Sequence, residues 1–133
     1  MTRPAPPSGA APPERAILAG ADAPIELVPL AREICRRYRD EFPDEEERYG
    51  DAGVAWCIHD NQHILAWAVG ARNGYVDLTH ELAWLARVLE RRDFPLSRLA
   101  RNLEIAAEVA SELPIADDLA AGAAFIGSRE SFL

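Results

Sequence analysis

The chain has 133 residues, with 14 basic and 22 acidic side chains and a net charge of −8. This is the length of one ordinary domain, which can bury a hydrophobic core without cross-links. So acidic a surface would repel a nucleic-acid duplex or an anionic membrane, which argues against direct binding to either.

The first 24 residues differ in composition from the rest, since they hold six of the ten prolines with alanine, glycine and serine between them. Such a segment buries too little apolar surface to offset the entropy of ordering it. We therefore predict a disordered, mobile arm over residues 1–23 and one folded domain over residues 24–133. The sequence shows neither a secretory signal nor an apolar run long enough to span a bilayer, so we predict a cytoplasmic protein without membrane contact.

Apolar residues recur at helical spacing after position 24 and predict four main helices. The first is expected to start at Pro24 and to end before Pro43. The second is expected to run from a capping box, formed by Asp44 and Glu47, to Arg72, where Asn73 and Gly74 stop it. The predicted buried side of the first helix consists of Leu27, Leu30, Ile34, Cys35, Tyr38 and Phe42.

The third helix is predicted over roughly residues 76–91, and the fourth follows a stripe of leucine and alanine from Leu96 to Leu113. Pro114 ends the fourth helix, and a short alanine-rich helix around residues 117–124 precedes a frayed end. No segment alternates with period two long enough to predict a strand. The predicted fold class is therefore all-α: a four-helix bundle with a short extra C-terminal helix and a disordered proline-rich N-terminal arm.

The chain has two cysteines, Cys35 and Cys57. Both lie in apolar helical patterns, which is typical of small buried side chains. We therefore predict that they are reduced core residues of a cytosolic protein.

The stretch WCIHDNQHILAW, from Trp56 to Trp67, concentrates polar and aromatic residues in the middle of the second predicted helix. All three tryptophans of the chain fall on the second and third helices. They could line a cleft for a flat organic ligand, with a histidine supplying an orienting hydrogen bond. The alternative is that the tryptophans fill the core or form a partner surface. The candidate ligand-binding residues are Trp56, His59, His63, Trp67 and Trp84.

The same stretch carries a metal-binding alternative. His59 and His63 are four residues apart, so both imidazoles can reach one ion from one helix face. Two Asp-x-x-His sequences, on the second and third helices, are similar to the carboxylate–histidine pairs of di-iron bundles. A di-iron site also needs an inward carboxylate from each of two more helices, and few are available there. The candidate ligands of iron or zinc are His59, Asp60, His63, Asp77 and His80.

The segments CIHDNQHILAWAV and HELAWLARVLERRDFPLSRLARNLEIAAEVASELP lie between Cys57 and Pro114. In their order they resemble the helical domain that precedes the cobalamin-binding domain of bacterial B12-dependent sensors and light-responsive regulators. The resemblance implies a four-helix module that caps the ligand face of a second α/β domain, whose Asp-x-His-x-x-Gly motif does not occur in this sequence. It implies cobalamin, or another tetrapyrrole-like ligand, as the cofactor class. Trp56 and the pair His80–Glu81 are loose counterparts of the family's cofactor contacts, and no role is transferred to them.

The sequence contains no Gly-rich phosphate loop, no Cys-x-x-Cys and no Gly-x-Ser-x-Gly motif. We therefore predict a non-enzymatic sensor or protein-interaction module of bacterial regulation, which acts as a homodimer or with a protein partner. One alternative is the metalloprotein described above. Another is an adaptor whose acidic segment, residues 40–51, docks on a basic partner.

Overall fold

The computed structural model describes residue 5 and residues 7–133, and nearly all of their regular structure is helical, as predicted. Within these residues the fifth helix is not a short appendage, because its 13 residues nearly equal the 14 of the third and fourth. None of the helices that the described residues form is long and apolar enough to cross a membrane. The elements are β1 (Arg15–Ala16), β2 (Ile25–Glu26), α1 (Leu27–Glu41), α2 (Asp44–Arg72), α3 (Leu78–Arg91), α4 (Leu96–Val109) and α5 (Ile115–Gly127).

Prolines mark the starts of three helices. Pro43, Pro95 and Pro114 directly precede α2, α4 and α5, each at the cap position. A proline ring fixes φ near the helical value and lacks the N–H that a first helical turn leaves unpaired. The predicted break at Pro43 is confirmed, whereas α4 already ends at Val109 and Pro114 marks only the start of α5.

The starts of α1 and α2 differ in detail from the prediction. Helix α1 begins at Leu27 rather than Pro24, because the two residues before Leu27 form β2, which pairs antiparallel with β1. The predicted capping box is also wrong. Asp44 is the first residue of α2 rather than its cap, and its carboxylate pairs with Arg98 of α4.

Helix α2 is interrupted at Gly50, which has φ 67° and ψ −159°. This region of backbone conformation is accessible essentially to glycine alone. Helical structure continues on both sides of Gly50, so the helix is kinked there.

The predicted N-terminal arm is described in part, since residues 1–4 and 6 lie outside the described residues. The described part is hydrogen-bonded to α2. Gln62 Nε2 donates to the Pro13 carbonyl over 3.0 Å, and Asn73 Nδ2 donates to the Ile17 carbonyl over 2.9 Å. Asn73 Oδ1 also accepts from the Ala19 N–H over 2.8 Å. The mobility of residues 1–23 stays a prediction, but Pro13, Ile17 and Ala19 have defined partners on α2 and on its C-cap residue, Asn73.

The core is built from one buried face of each helix. On α1 the predicted inward side is confirmed for Leu27, Ile34, Cys35 and Tyr38. Each large apolar side chain buried in this way stabilises the fold by roughly 1.5–3 kcal/mol. The side chains exposed by 1% or less include Leu27, Ile34, Ile64, Leu65, Leu82, Leu103, Ile105, Ile115, Leu119 and Ile126.

The C-terminal end is packed rather than frayed, so the prediction of a frayed end is wrong. Phe132 is only 6% exposed, and its ring contacts that of Phe125 with the centroids 5.5 Å apart. The Phe132 N–H donates to Glu90 Oε1 over 2.9 Å, and the Ser131 hydroxyl donates to Glu90 Oε2 over 2.6 Å. One carboxylate of α3 therefore holds the last residues of the chain.

Protonation of Glu90 is expected to loosen this end. The Phe132 N–H, and next the Ser131 hydroxyl, hold the pKa of the Glu90 carboxyl below its usual 4.5. A folded-state pKa below the unfolded one gives stability that is present above the unfolded pKa and lost as pH falls through the folded pKa. The hydrogen-exchange protection factor of the Phe132 amide, measured by NMR, should therefore fall as the pH drops through the lowered pKa of Glu90.

A pair of variants separates this contact from a general acid effect. Glu90→Ala should remove the protection of the Phe132 amide already at pH 7. Glu104→Ala, which replaces an exposed carboxylate on α4, should leave it unchanged. Full protection of the Phe132 amide in Glu90→Ala at pH 7 would contradict the assignment.

Candidate functional site

A cavity of about 650 Å³ lies where α1, α2, α3 and α4 meet, and we call it the interhelical cavity. Its volume is in the range of pockets that hold small organic ligands, roughly 300–1,000 Å³. Residues of all four helices, of the α3–α4 connection and of the N-terminal arm line it. Its aliphatic lining comes from Ile64, Leu85, Leu89 and Leu99.

One side of the interhelical cavity is aromatic and carries a cation. The rings of Tyr49 and Phe94 are tilted against each other with their centroids 6.0 Å apart. The Trp56 indole N–H donates to the carbonyl of Ala5, and the Arg92 guanidinium lies 5.3 Å from the centroid of the Trp56 ring. Within the described part of the chain Arg92 forms no salt bridge, although its charge acts at longer range on the Asp60 carboxyl in the same lining.

Two buried asparagines form another part of the lining. Asn61 of α2 and Asn102 of α4 are 2% and 7% exposed. Asn61 Nδ2 donates to Asn102 Oδ1 over 3.1 Å, and Asn102 Nδ2 donates to Asn61 Oδ1 over 2.9 Å. Asn61 Nδ2 also donates to the Cys57 carbonyl over 3.0 Å. An amide nitrogen carries two N–H groups, and among the described residues Asn102 Nδ2 has only the one partner, so its second N–H can serve a ligand.

A charged network supports the wall formed by α1 and the start of α2. The Tyr38 hydroxyl donates to Glu45 Oε1 over 2.5 Å, and Arg98 donates to Glu45 over 3.0 Å and to Asp44 over 2.8 Å. Burial, and next the contact with Glu45, raise the pKa of Tyr38 well above its usual 10.0. The hydrogen bond to Asp44 raises the pKa of Arg98. Tyr38 therefore stays protonated and keeps donating at neutral pH.

Asp60 adds a carboxyl group to the lining. Its side chain is 24% exposed, and burial raises its pKa above the usual 3.8. A hydrogen bond with His59, whose Nδ1 lies 3.1 Å from Asp60 Oδ1, opposes that shift. The interhelical cavity thus combines aromatic faces with a small number of polar groups, and such a lining can bind and orient a ligand.

The five predicted ligand-binding residues form a continuous row of ring-to-ring contacts along α2 and onto α3, rather than the lining of one cleft. Trp84 at its end is 49% exposed. Burial, and next the charge of His59, lower the pKa of His63, so His63 is neutral at pH 7. Of the five, only Trp56 lines the interhelical cavity. The successive centroid distances are Trp56–His59 5.2 Å, His59–His63 4.8 Å, His63–Trp67 5.8 Å and Trp67–Trp84 6.4 Å.

The structure gives no support to the predicted metal site of His59, Asp60, His63, Asp77 and His80. Over residue 5 and residues 7–133, no three histidine, cysteine, aspartate or glutamate side chains are arranged to hold a metal ion. Asp77 is the N-cap of α3, and its carboxylate accepts from the Thr79 hydroxyl over 2.7 Å and from the His80 N–H over 3.2 Å. The Asp-x-x-His sequence at this position is therefore a helix cap, as aspartate at an N-cap commonly is.

The prediction of two reduced cysteines is wrong. Cys35 of α1 and Cys57 of α2 form a disulfide, with their Cα atoms 6.0 Å apart. This spacing is typical of disulfides and arises because α1 and α2 pack side by side. Helical periodicity reports that each cysteine is buried but not that the two meet, since they lie 22 residues apart on different helices.

Comparison with known proteins adds no identity to this geometry. No protein-family model, curated protein or solved structure matches the chain. The case for a site therefore depends on the contacts within the interhelical cavity.

Sequence reasoning missed most of the cavity lining, although one signal was present. Asn102 falls at a helical spacing in the apolar stripe of α4, between Leu99 and Ala106, where an apolar residue is expected. A polar side chain at such a position must be hydrogen-bonded or used. Arg92 and Phe94 carried no signal of this kind, because they lie in the connection between α3 and α4.

Proposed function

We propose that the chain is a non-enzymatic sensor module that binds one small, flat aromatic acid in the interhelical cavity. The observation that carries the proposal is the set of unused polar groups beside aromatic walls. The second N–H of Asn102 and the guanidinium of Arg92 have no acceptor among the described residues, while Trp56, Tyr49 and Phe94 offer ring surfaces. A carboxylate on a planar ring would accept from these donors as the ring packs on the aromatic side chains.

A metal-centred macrocycle such as cobalamin does not suit this cavity. None of its described lining residues is a histidine, and its one sulfur atom, from Cys57, is held in a disulfide. The resemblance to the helical domain of B12-dependent sensors therefore supports a regulatory role and not that cofactor. A smaller planar ligand suits both the volume and the donors.

In the proposed role, ligand binding changes the interaction of this chain with a second copy or with another protein in a bacterial cytoplasm. Homodimer formation stays a prediction, and the partly exposed Trp84, with its edge contact to Trp67, is the surface that supports it. Aromatic side chains of this kind are enriched where protein partners meet.

Binding of 2-naphthoate, measured by isothermal titration calorimetry, is the direct test. We expect one site per chain. Leu89→Trp, which places an indole in the cavity wall, should weaken binding more than tenfold by steric exclusion. Leu78→Trp, a matched substitution at the first residue of α3 and outside the lining, should leave the dissociation constant within about twofold.

The charge contribution is tested with a neutral analogue. Arg92→Ala should weaken 2-naphthoate binding roughly three- to tenfold and leave 2-naphthamide almost unaffected, because only the carboxylate gains from the guanidinium. Arg91→Ala, at the exposed neighbouring position, should affect neither ligand. Absence of saturable binding, or equal losses in the two tryptophan variants, would contradict the proposal.

A further inference from the structure

The disulfide is part of the wall of the interhelical cavity. Cys35 is 2% exposed and packs in the core, whereas Cys57 lines the cavity. The bond therefore has one sulfur that a molecule in the cavity can reach and one that only the core contacts. Within the described residues both cysteines of the chain are used in this bond.

The disulfide is also coupled to the asparagine pair of Asn61 and Asn102. Asn61 Nδ2 lies 3.5 Å from Cys35 Sγ and 3.6 Å from Cys57 Sγ. The same nitrogen donates to Asn102 Oδ1, and both asparagines line the cavity. A displacement of either sulfur must therefore change the position of an amide that orients Asn102 toward the cavity.

We propose that the Cys35–Cys57 disulfide is a redox switch that sets the affinity of the interhelical cavity for its ligand. Once the bond is broken, the two sulfur atoms repel each other at the bonded distance and move apart. Cys35 is enclosed by the core, so Cys57 takes up this displacement and moves into the cavity. Reduction therefore narrows the cavity, disturbs the asparagine pair and weakens ligand binding.

The chemistry is thiol–disulfide exchange with a dithiol reductant. A thiolate of the reductant attacks Cys57 Sγ, which is the accessible sulfur, and the S–S bond breaks. Cys35 leaves as a thiolate, which the Asn61 N–H can stabilise until it takes up a proton. The second thiol of the reductant then displaces Cys57, so that two cysteine thiols and one cyclic disulfide of the reductant result, a transfer of two electrons.

The proposal depends on the ligand-binding function proposed above and fits the cytoplasmic location proposed with it. Disulfides in a reducing cytosol are usually transient, serving redox sensing or catalysis rather than as permanent cross-links. Thermodynamic linkage also requires the reverse effect. If reduction weakens ligand binding, the bound ligand must stabilise the disulfide against reduction by the same factor.

Titration of 2-naphthoate into the oxidised and the dithiothreitol-reduced protein tests the switch. We expect the dissociation constant to rise at least fivefold on reduction and to return on reoxidation. In Cys35→Ala/Cys57→Ala the dissociation constant should not respond to dithiothreitol. Saturating 2-naphthoate should slow the reduction of the disulfide, followed by alkylation and mass spectrometry.

The outcomes separate the two proposals. If the oxidised protein binds 2-naphthoate and the reduced protein binds it equally well, the switch is overturned and the sensor function stands. If neither state binds, both are overturned. If the reductant reaches the disulfide through the cavity, reduction must be slower in Leu89→Trp than in Leu78→Trp, and equal rates would overturn the switch. Finding two free thiols in protein that was never exposed to a reductant would also overturn it.

Discussion

Replacing Asn102 with leucine should lower the free energy of unfolding by about 2–4 kcal/mol. The substitution removes both partners that Asn102 supplies to the side chain of Asn61, which is 2% exposed and cannot turn to water. A buried amide left without partners costs about 1–3 kcal/mol for each group, and the larger apolar side chain adds strain. Urea unfolding followed by circular dichroism measures the loss.

The double variant Asn61→Leu/Asn102→Leu distinguishes a lost hydrogen bond from lost packing. Removing both members of a buried polar pair leaves no unpaired amide and is often nearly neutral. We therefore expect the double variant to be more stable than Asn102→Leu alone. If the single variant lost less than about 1 kcal/mol, the asparagine pair would not be the constraint that the structure indicates.

Much of the fold could be predicted from the sequence because its signals are local. Pro43 and Pro114 separate helices whatever the chain does elsewhere, and the apolar spacing of α1 places Ile34 and Tyr38 inward. The start of α1 and the role of Asp44 were less accessible, since they depend on a two-residue strand and on an ion pair to Arg98. Both of those contacts join residues distant in the sequence.

The candidate site could not be predicted from periodicity for a related reason. Helical spacing groups the residues of α2 by face, but it does not report which faces of α1, α3 and α4 enclose a cavity with them. The candidate set therefore joined Trp56, which lines the cavity, with His59, His63 and Trp67, which do not. Asp60 also lines the cavity, but the sequence proposed it as a metal ligand rather than as part of a ligand pocket.

The N-terminal segment and the disulfide also depend on contacts between distant residues, which local sequence patterns do not report. A proline-rich composition indicates that a segment cannot fold alone, and it says nothing of partners such as Gln62 and Asn73 that hold part of that segment on α2 and on its C-cap. Likewise, apolar spacing places Cys35 and Cys57 in the core but does not report that packing of α1 on α2 joins them.

Replacing Arg98 with methionine is expected to cost about 2–4 kcal/mol of unfolding free energy. Arg98 bridges Asp44 and Glu45, and the Glu45 side chain is only 5% exposed, so the variant leaves a buried carboxylate without its cation. The guanidinium also lies 4.5 Å from the centroid of the Phe42 ring, a contact that methionine replaces only in part. The 18% exposure of the Arg98 side chain places the loss toward the lower end of this range.

Arg101→Met is the matched control, because Arg101 lies one helical turn later on α4 and pairs with Glu41 over 2.8 Å at the surface. An exposed pair of this kind contributes at most about 1 kcal/mol. Equal losses in the two variants, measured by urea unfolding at pH 7, would show that Arg98 has no special role. Adding Glu45→Gln to Arg98→Met should recover stability by removing the uncompensated charge. Glu45 and Tyr38 both line the interhelical cavity. Arg98→Met should therefore also weaken 2-naphthoate binding, whereas Arg101→Met should not. Such a difference would show that this ion-pair network maintains the shape of the proposed site.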